Sequence, residues 1–182
     1  MPYYLNNNAS IPEEGEDLMQ HLMKKYGPAA VQRFGQPGNP LDMAGSKVGI
    51  TFNKDRKVLP TKKPHQIVEW TMATEGPKKV DELMEVLFRR YFVEGEAVNQ
   101  HEVLLDAVEE AGLDRSKAEE VLQSSTYVDV VAAKDNTAKP RLRCNGVPFF
   151  VISGESASGS AVSFSGAQPA EVIEEAIREV EE

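Results

Sequence analysis

Cys144 is the only cysteine in the 182-residue chain, and its surroundings decide whether it can do thiol chemistry. Disulfide exchange needs a thiolate, usually held at a helix N-terminus where the dipole depresses its pKa. A second cysteine then resolves the mixed disulfide. Cys144 precedes no predicted helix and has no partner in the chain, so it reads as an inert thiol near the start of a strand. Val147-Pro148 follows three residues later. Such a proline can simply open a strand, where the missing N–H costs little, and only about 5–6% of X-Pro bonds are cis in folded proteins. His21, His65 and His101 are scattered, without a cysteine or carboxylate at ligand spacing, so no metal site is expected. The Ser- and Gly-rich stretch 153–166 holds neither GxSxG nor a phosphate loop and reads as a flexible hairpin. Glu174, Glu175, Glu179, Glu181 and Glu182 form a solvated acidic face on the last helix.

The composition excludes several function classes. Twenty basic residues against 29 acidic ones give a formal charge of −9, and 41% of the chain is hydrophobic. One ordinary globular domain, a core with a sizeable insertion, suits this length and balance. A pI near 5 speaks against nucleic acid as a partner, since phosphate binding calls for a basic face, and against adhesion to anionic membranes. No stretch approaches the roughly 20 apolar residues that span a bilayer. Residues Pro2–Ser10 lack a basic start and an apolar run of signal-peptide length, so a cytoplasmic protein is expected.

Periodicity then supplies the elements. Pro2–Leu5 reads as a short strand. Leu18, Met19, Leu22, Met23 and Tyr26 share a helical stripe closed by Gly27-Pro28, and Ala29–Phe34 reads as one further helical turn or two. Gly35–Gly49, with two prolines and four glycines, is expected to be a loop. Val48–Phe52 resembles a strand, and Asn53–Pro60 a polar connection. Ile67, Val68, Thr71 and Met72 mark a helix with Trp70 beside its stripe. Val80, Leu83, Met84, Leu87, Phe88 and Tyr91 give the best amphipathic signal. Asn99 with Glu102 resembles a capping box for the next helix, Gly112 fits its left-handed close, and Asp114 can cap the helix after it. Val128–Ala133 is expected to be helical. Phe149–Ile152 and Ala161–Ser165 read as antiparallel strands, and Pro169 opens a helix striped by Val172, Ile173, Ala176, Ile177 and Val180. The order predicts an α/β fold that is mostly helical, with a helical insertion between strands.

Several of these segments carry a resemblance. Gly146-Val147-Pro148-Phe149-Phe150-Val151-Ile152, with Phe164-Ser165-Gly166-Ala167-Gln168-Pro169 after it, looks like the end of a DsbA-like thioredoxin domain. More narrowly it resembles the branch of polyketide-synthesis disulfide oxidoreductases, 2-hydroxychromene-2-carboxylate isomerases and kappa-class glutathione transferases. Tyr4-Leu5 through Pro12-Glu13-Glu14-Gly15, then Lys25-Tyr26-Gly27, fit the same branch. So do Leu87-Phe88-Arg89-Arg90-Tyr91-Phe92 with Gly95, and the run Leu104 to Leu113. Two departures stand out. Pro60 and Pro64 replace the Asn and Ala that tend to flank the family's Thr and His, which are matched here by Thr61 and His65. The first strand and the CxxC turn that should precede Pro2 are not in this sequence.

The resemblance implies a thioredoxin-like part over 1–15 and 126–182 and a helical insertion over 16–125. It implies a cis peptide bond at Val147-Pro148, whose backbone pairs with an extended peptide, a thiol or disulfide substrate, or glutathione. Thr61 and His65 become candidate cleft residues. By family the chain is an oxidoreductase, yet without the dithiol it is expected to be inactive alone. The alternatives are a non-catalytic thioredoxin-fold binding protein and a glutathione-dependent transferase or isomerase. No bound cofactor is expected, glutathione being the one ligand the resemblance suggests. The absent strand would leave an open sheet edge that recruits a second chain, with Pro2–Leu5 poorly anchored.

Overall fold

The computed structural model describes residues 11–141, 147–154 and 161–181, with backbone alone at the end of its longest helix. Pro2–Leu5, Cys144 and residues 155–160, expected as part of a hairpin, lie outside the described residues. The chain divides into two compact units, one ending at Val131 and the other beginning at Ala132.

The first unit opens with a two-residue strand β1 (Glu16–Asp17), which pairs antiparallel with β2 (Lys57–Val58). Helix α1 (Leu18–Tyr26) starts where Asp17 accepts the Gln20 N–H at 2.8 Å. It stops at Gly27, whose φ of +79° suits a residue without Cβ. Pro28 then sits at the first position of α2 (Pro28–Gly35), where its missing N–H has no intrahelical partner to lose. Helix α3 (Pro40–Lys47) occupies most of the stretch expected to be a loop. Its proline is again at the start, and Asn39 Oδ1 accepts from the N–H groups of Leu41 and Asp42 at 3.0 and 3.1 Å. The Gly/Pro count hid these start signals. Gly45 lies inside α3 for a packing reason: a Cβ there would meet the Ile50 carbonyl oxygen at 2.6 Å and the Phe52 ring at 2.8 Å. No strand forms at Val48–Phe52; Val48 is 71% exposed, and the strand residues are Lys57 and Val58.

The core of this unit lies among α4 (Lys62–Thr74), α5 (Pro77–Phe88), α6 (His101–Glu110) and α7 (Arg115–Gln123). Ile67, Leu83, Leu104 and Val108 are fully buried at its centre. Trp70 is buried too, so it belongs to the packed face rather than beside it. Gly112 (φ +72°) turns the chain out of α6 as expected. Leu113 folds back, its N–H donating to the Val108 carbonyl at 3.0 Å. Asp114 caps α7 by accepting from the Lys117 N–H at 3.1 Å.

After α5 the backbone widens into a π-helical turn, Arg89–Glu94, that ends at Gly95 in the left-handed region. Both arginines reach α6: Arg89 and Arg90 pair with Glu110, and Arg90 also binds Glu96 at 2.9 Å. The Arg90 guanidinium, then Arg89, holds the Glu110 carboxyl below its ordinary value of 4.5. Lys24 and then His21 do the same for Glu16. A carboxylate whose folded pKa is depressed stabilises the fold above its unfolded pKa and loses that contribution as pH falls through the folded value. The melting temperature is therefore expected to hold from pH 7 to about 5 and to drop below about 4.5. Glu110→Gln should flatten that drop in a scan by circular dichroism. An unchanged acid limb in Glu110→Gln would show that the pairing carries no linkage.

The second unit contains most of α8 (Thr126–Arg141), which begins in the first unit with Val131 buried. Strands β3 (Phe149–Ser153) and β4 (Ala161–Ser165) follow as an antiparallel pair, in register from Phe149↔Ser165 to Ser153↔Ala161. Helix α9 (Ala170–Glu181) packs on this hairpin through buried Ala176. Gly154 lies so close to the Val180 carbonyl that a Cβ could not be accommodated. The molecule is thus mixed α/β, mostly helical, with small sheets, as the order of elements predicts.

Candidate functional site

Val147 and Pro148 lead directly into β3, and the peptide bond between them is cis. The Pro148 carbonyl accepts from the Gly166 N–H at 2.9 Å, which extends the ladder one step past the Phe149–Ser165 pair. Gly166 can donate there because its φ of +87° turns the chain back toward Pro148. Gln168 Nε2 donates to the Ser165 carbonyl at 3.1 Å and braces the same turn. One residue further into the hairpin, the Phe150 and Phe164 rings lie 5.2 Å apart across the strands. The result is a fixed end of a hairpin from which Val147 projects, 47% exposed. Among the described residues, β3 has β4 as its one strand partner.

Thr61 and His65 sit together at the start of α4 in the first unit, with the His65 N–H donating to the Thr61 carbonyl at 3.1 Å. Thr61 flanks the helix without a side-chain cap, and both residues make further contacts. Pro64 is accommodated because it falls in the first turn, where backbone N–H groups have no intrahelical acceptor. The structure therefore joins Thr61 to His65 and Val147 to Pro148, each pair within its own unit.

Sequence reasoning missed a convergence beside the first pair. The Pro12–Gly15 turn, closed by the Gly15 N–H on the Pro12 carbonyl at 2.9 Å, is held from two sides. Lys63 of α4 pairs with the Glu13 carboxylate at 2.5 Å. From the entry to α6, Asn99 Nδ2 and Gln100 Nε2 both donate to the Glu13 carbonyl, at 2.7 and 3.0 Å. This corrects the expected capping box: α6 begins at His101, and Asn99 is fully buried with its amide spent on the turn. Its Oδ1 has no hydrogen-bond partner, whereas a cap would have used that atom. The spacing from Asn99 to Glu102 gave the wrong signal because a cap and a long-range clamp employ the same residue type.

Other chemistry is sparse. Each of two histidines faces a carboxylate, His21 at 3.0 Å from Glu16 and His101 at 2.7 Å from Glu119. No cluster of three metal-ligating side chains occurs among the described residues. No described helix is long and apolar enough to cross a membrane.

Comparison with known proteins places these observations. Residues 42–178 match the family model of the DSBA-like thioredoxin domain. The crystal structure of a probable DsbA oxidoreductase from Streptomyces coelicolor superposes with a TM-score of 0.77 at 26% sequence identity. That match covers 94% of this chain and 70% of the other. No match was found among curated proteins.

Proposed function

Because the chain belongs to the family of DsbA-like thioredoxin domains, we propose that it is a thiol–disulfide oxidoreductase family member that binds substrate at Val147 and Pro148. The observation that carries this reading is the use of the two backbone groups. Pro148 lends its carbonyl to Gly166, while no hydrogen bond of the Val147 backbone falls among the described residues. An extended peptide next to a cysteine, or the γ-glutamyl-cysteinyl backbone of glutathione, would pair with Val147 as an added strand. In this reading Thr61 and His65 are cleft residues, 1–15 with 126–182 are the thioredoxin-like part, and 16–125 is the insertion. The β3 edge is also where a second copy would add.

With one cysteine in the sequence, the polypeptide alone lacks a resolving thiol, which favours binding over turnover. A non-catalytic binding protein is the second reading for the same reason.

The test is a titration of the ¹⁵N-labelled protein with a short extended peptide containing a blocked cysteine, and separately with oxidised glutathione. The largest amide shifts are expected at Val147, Phe149 and Gly166. A Val147→Ala variant should respond nearly as strongly, since the contact is made by backbone. Shifts confined to other parts of the chain, or none with either ligand, would refute the proposed site. A response to glutathione alone would move the assignment to the transferase or isomerase class.

A further inference from the structure

Helices α1 and α2 enclose an open groove of about 560 Å³ that the proposed redox-family role does not use. Leu22, Tyr26, Ala29, Ala30, Arg33 and Phe34 line it. It is nearly all apolar and unusually uncovered: Tyr26 is 58% exposed, and nearby Met23 and Phe34 are exposed as well. A smaller hollow continues it, sharing Leu22 and Phe34 and reaching Leu18, Leu41 and Phe52. The charge around it runs against the rest of the molecule. From Glu16 to Phe52 there are four basic residues, Lys24, Lys25, Arg33 and Lys47, and three acidic ones, Glu16, Asp17 and Asp42, with Lys24 paired to Glu16, in a chain of net charge −9. Arg33 lines the groove itself and makes no hydrogen bond or ion pair among the described residues.

We infer that this groove is a docking site for an acidic amphipathic helix of a partner protein. Its apolar side chains at i, i+3, i+4 and i+7 would lie between α1 and α2, with a flanking carboxylate on Arg33. Three features select that occupant. The groove walls are helices whose backbone groups are satisfied internally, so an extended segment would bury unpaired N–H and C=O groups, whereas a helix satisfies its own. The volume falls in the range that accepts a few large side chains. The Arg33 guanidinium in the groove, uncompensated among the described residues, repels a basic helix and attracts an acidic one. An anionic membrane fits less well: the surface is concave, the basic cluster is small, and the chain as a whole is acidic.

The experiment uses the 182-residue protein and a fluorescein-labelled peptide of about 20 residues, above the length at which isolated helices are marginal. It carries leucine at i, i+3, i+4 and i+7 and glutamate on its flanks; its counterpart has lysine in place of every glutamate. Anisotropy is expected to show binding of the acidic peptide, and at least tenfold weaker binding of the basic one. Arg33→Glu and Ala29→Glu should each weaken the acidic peptide at least tenfold. Both positions are exposed, and the new carboxylate in the first turn of α2 suits the helix dipole, so thermal melting should confirm an intact fold. Equal binding of the two peptides, binding of neither, or indifference to both substitutions would overturn the inference. Co-sedimentation with phosphatidylglycerol vesicles without peptide binding would overturn it in favour of a lipid surface. None of these outcomes bears on Val147 and Pro148, so the two readings fail separately.

Discussion

In an insulin-reduction assay with dithiothreitol, the purified 182-residue protein is expected to accelerate precipitation no more than buffer does. Reduction of a substrate disulfide proceeds by thiolate attack on one sulfur, expulsion of the other as a thiolate, and release of the enzyme from the mixed disulfide by a second thiol. Within the chain Cys144 could take only the first step, since no other cysteine is there for the last. Release would fall to dithiothreitol, which already attacks insulin directly, and an inert Cys144 adds nothing to that background. Cys144→Ser should be indistinguishable from the unsubstituted protein. Activity well above buffer that vanishes in Cys144→Ser would establish a monothiol mechanism and contradict the reading of Cys144 as inert.

Replacing Leu104 with alanine should cost about 2–5 kcal/mol of stability in the first unit. Leu104 is fully buried in the cluster that joins α4, α5, α6 and α7, so truncation removes transfer free energy and leaves a cavity the helices can only partly close. Trp70 lies in that same cluster and is the only tryptophan, so its fluorescence reports this unit directly. In urea the midpoint should move down by about 1–2 M, given ordinary denaturant sensitivities of about 1–3 kcal/mol per M. Val172→Ala on α9, 40% exposed, should leave the Trp70 transition within about 0.5 kcal/mol. A Leu104→Ala loss under 1 kcal/mol would mean that the core repacks around the gap.

Much of the fold was legible because it rests on local periodicity. The α5 stripe from Val80 to Phe88, the close of α6 at Gly112, the Asp114 cap and the Phe149–Ser165 hairpin all have causes within a few residues of themselves. Helix α3 was hidden because glycine and proline carry opposite meanings by position. Pro40 after Asn39 is a start signal, while Gly45 is tolerated inside the helix only because Phe52 and the Ile50 carbonyl crowd it. Neither neighbour is apparent from the composition of the stretch. The candidate site divides the same way. Val147-Pro148 was singled out through the family resemblance of the segment around it, but the cradle of the Glu13 carbonyl by Asn99 and Gln100 joins residues more than 80 positions apart.

By itself the sequence determined the supply of chemistry: one thiol, no metal-ligand cluster by spacing, a net charge of −9, and the order in which helices and strands are made. These follow from residue identity and from side-chain periods of 3.6 and 2, which are properties of the chain before it folds. The tertiary structure decided which faces are used. It buried Trp70, turned Asn99 from a cap into a clamp, paired Glu16–Asp17 with Lys57–Val58, and left the groove beside Arg33 uncovered. Those outcomes depend on contacts between segments distant in sequence, where packing and hydrogen-bond satisfaction summed over many partners outweigh the fractions of a kcal/mol that separate local preferences.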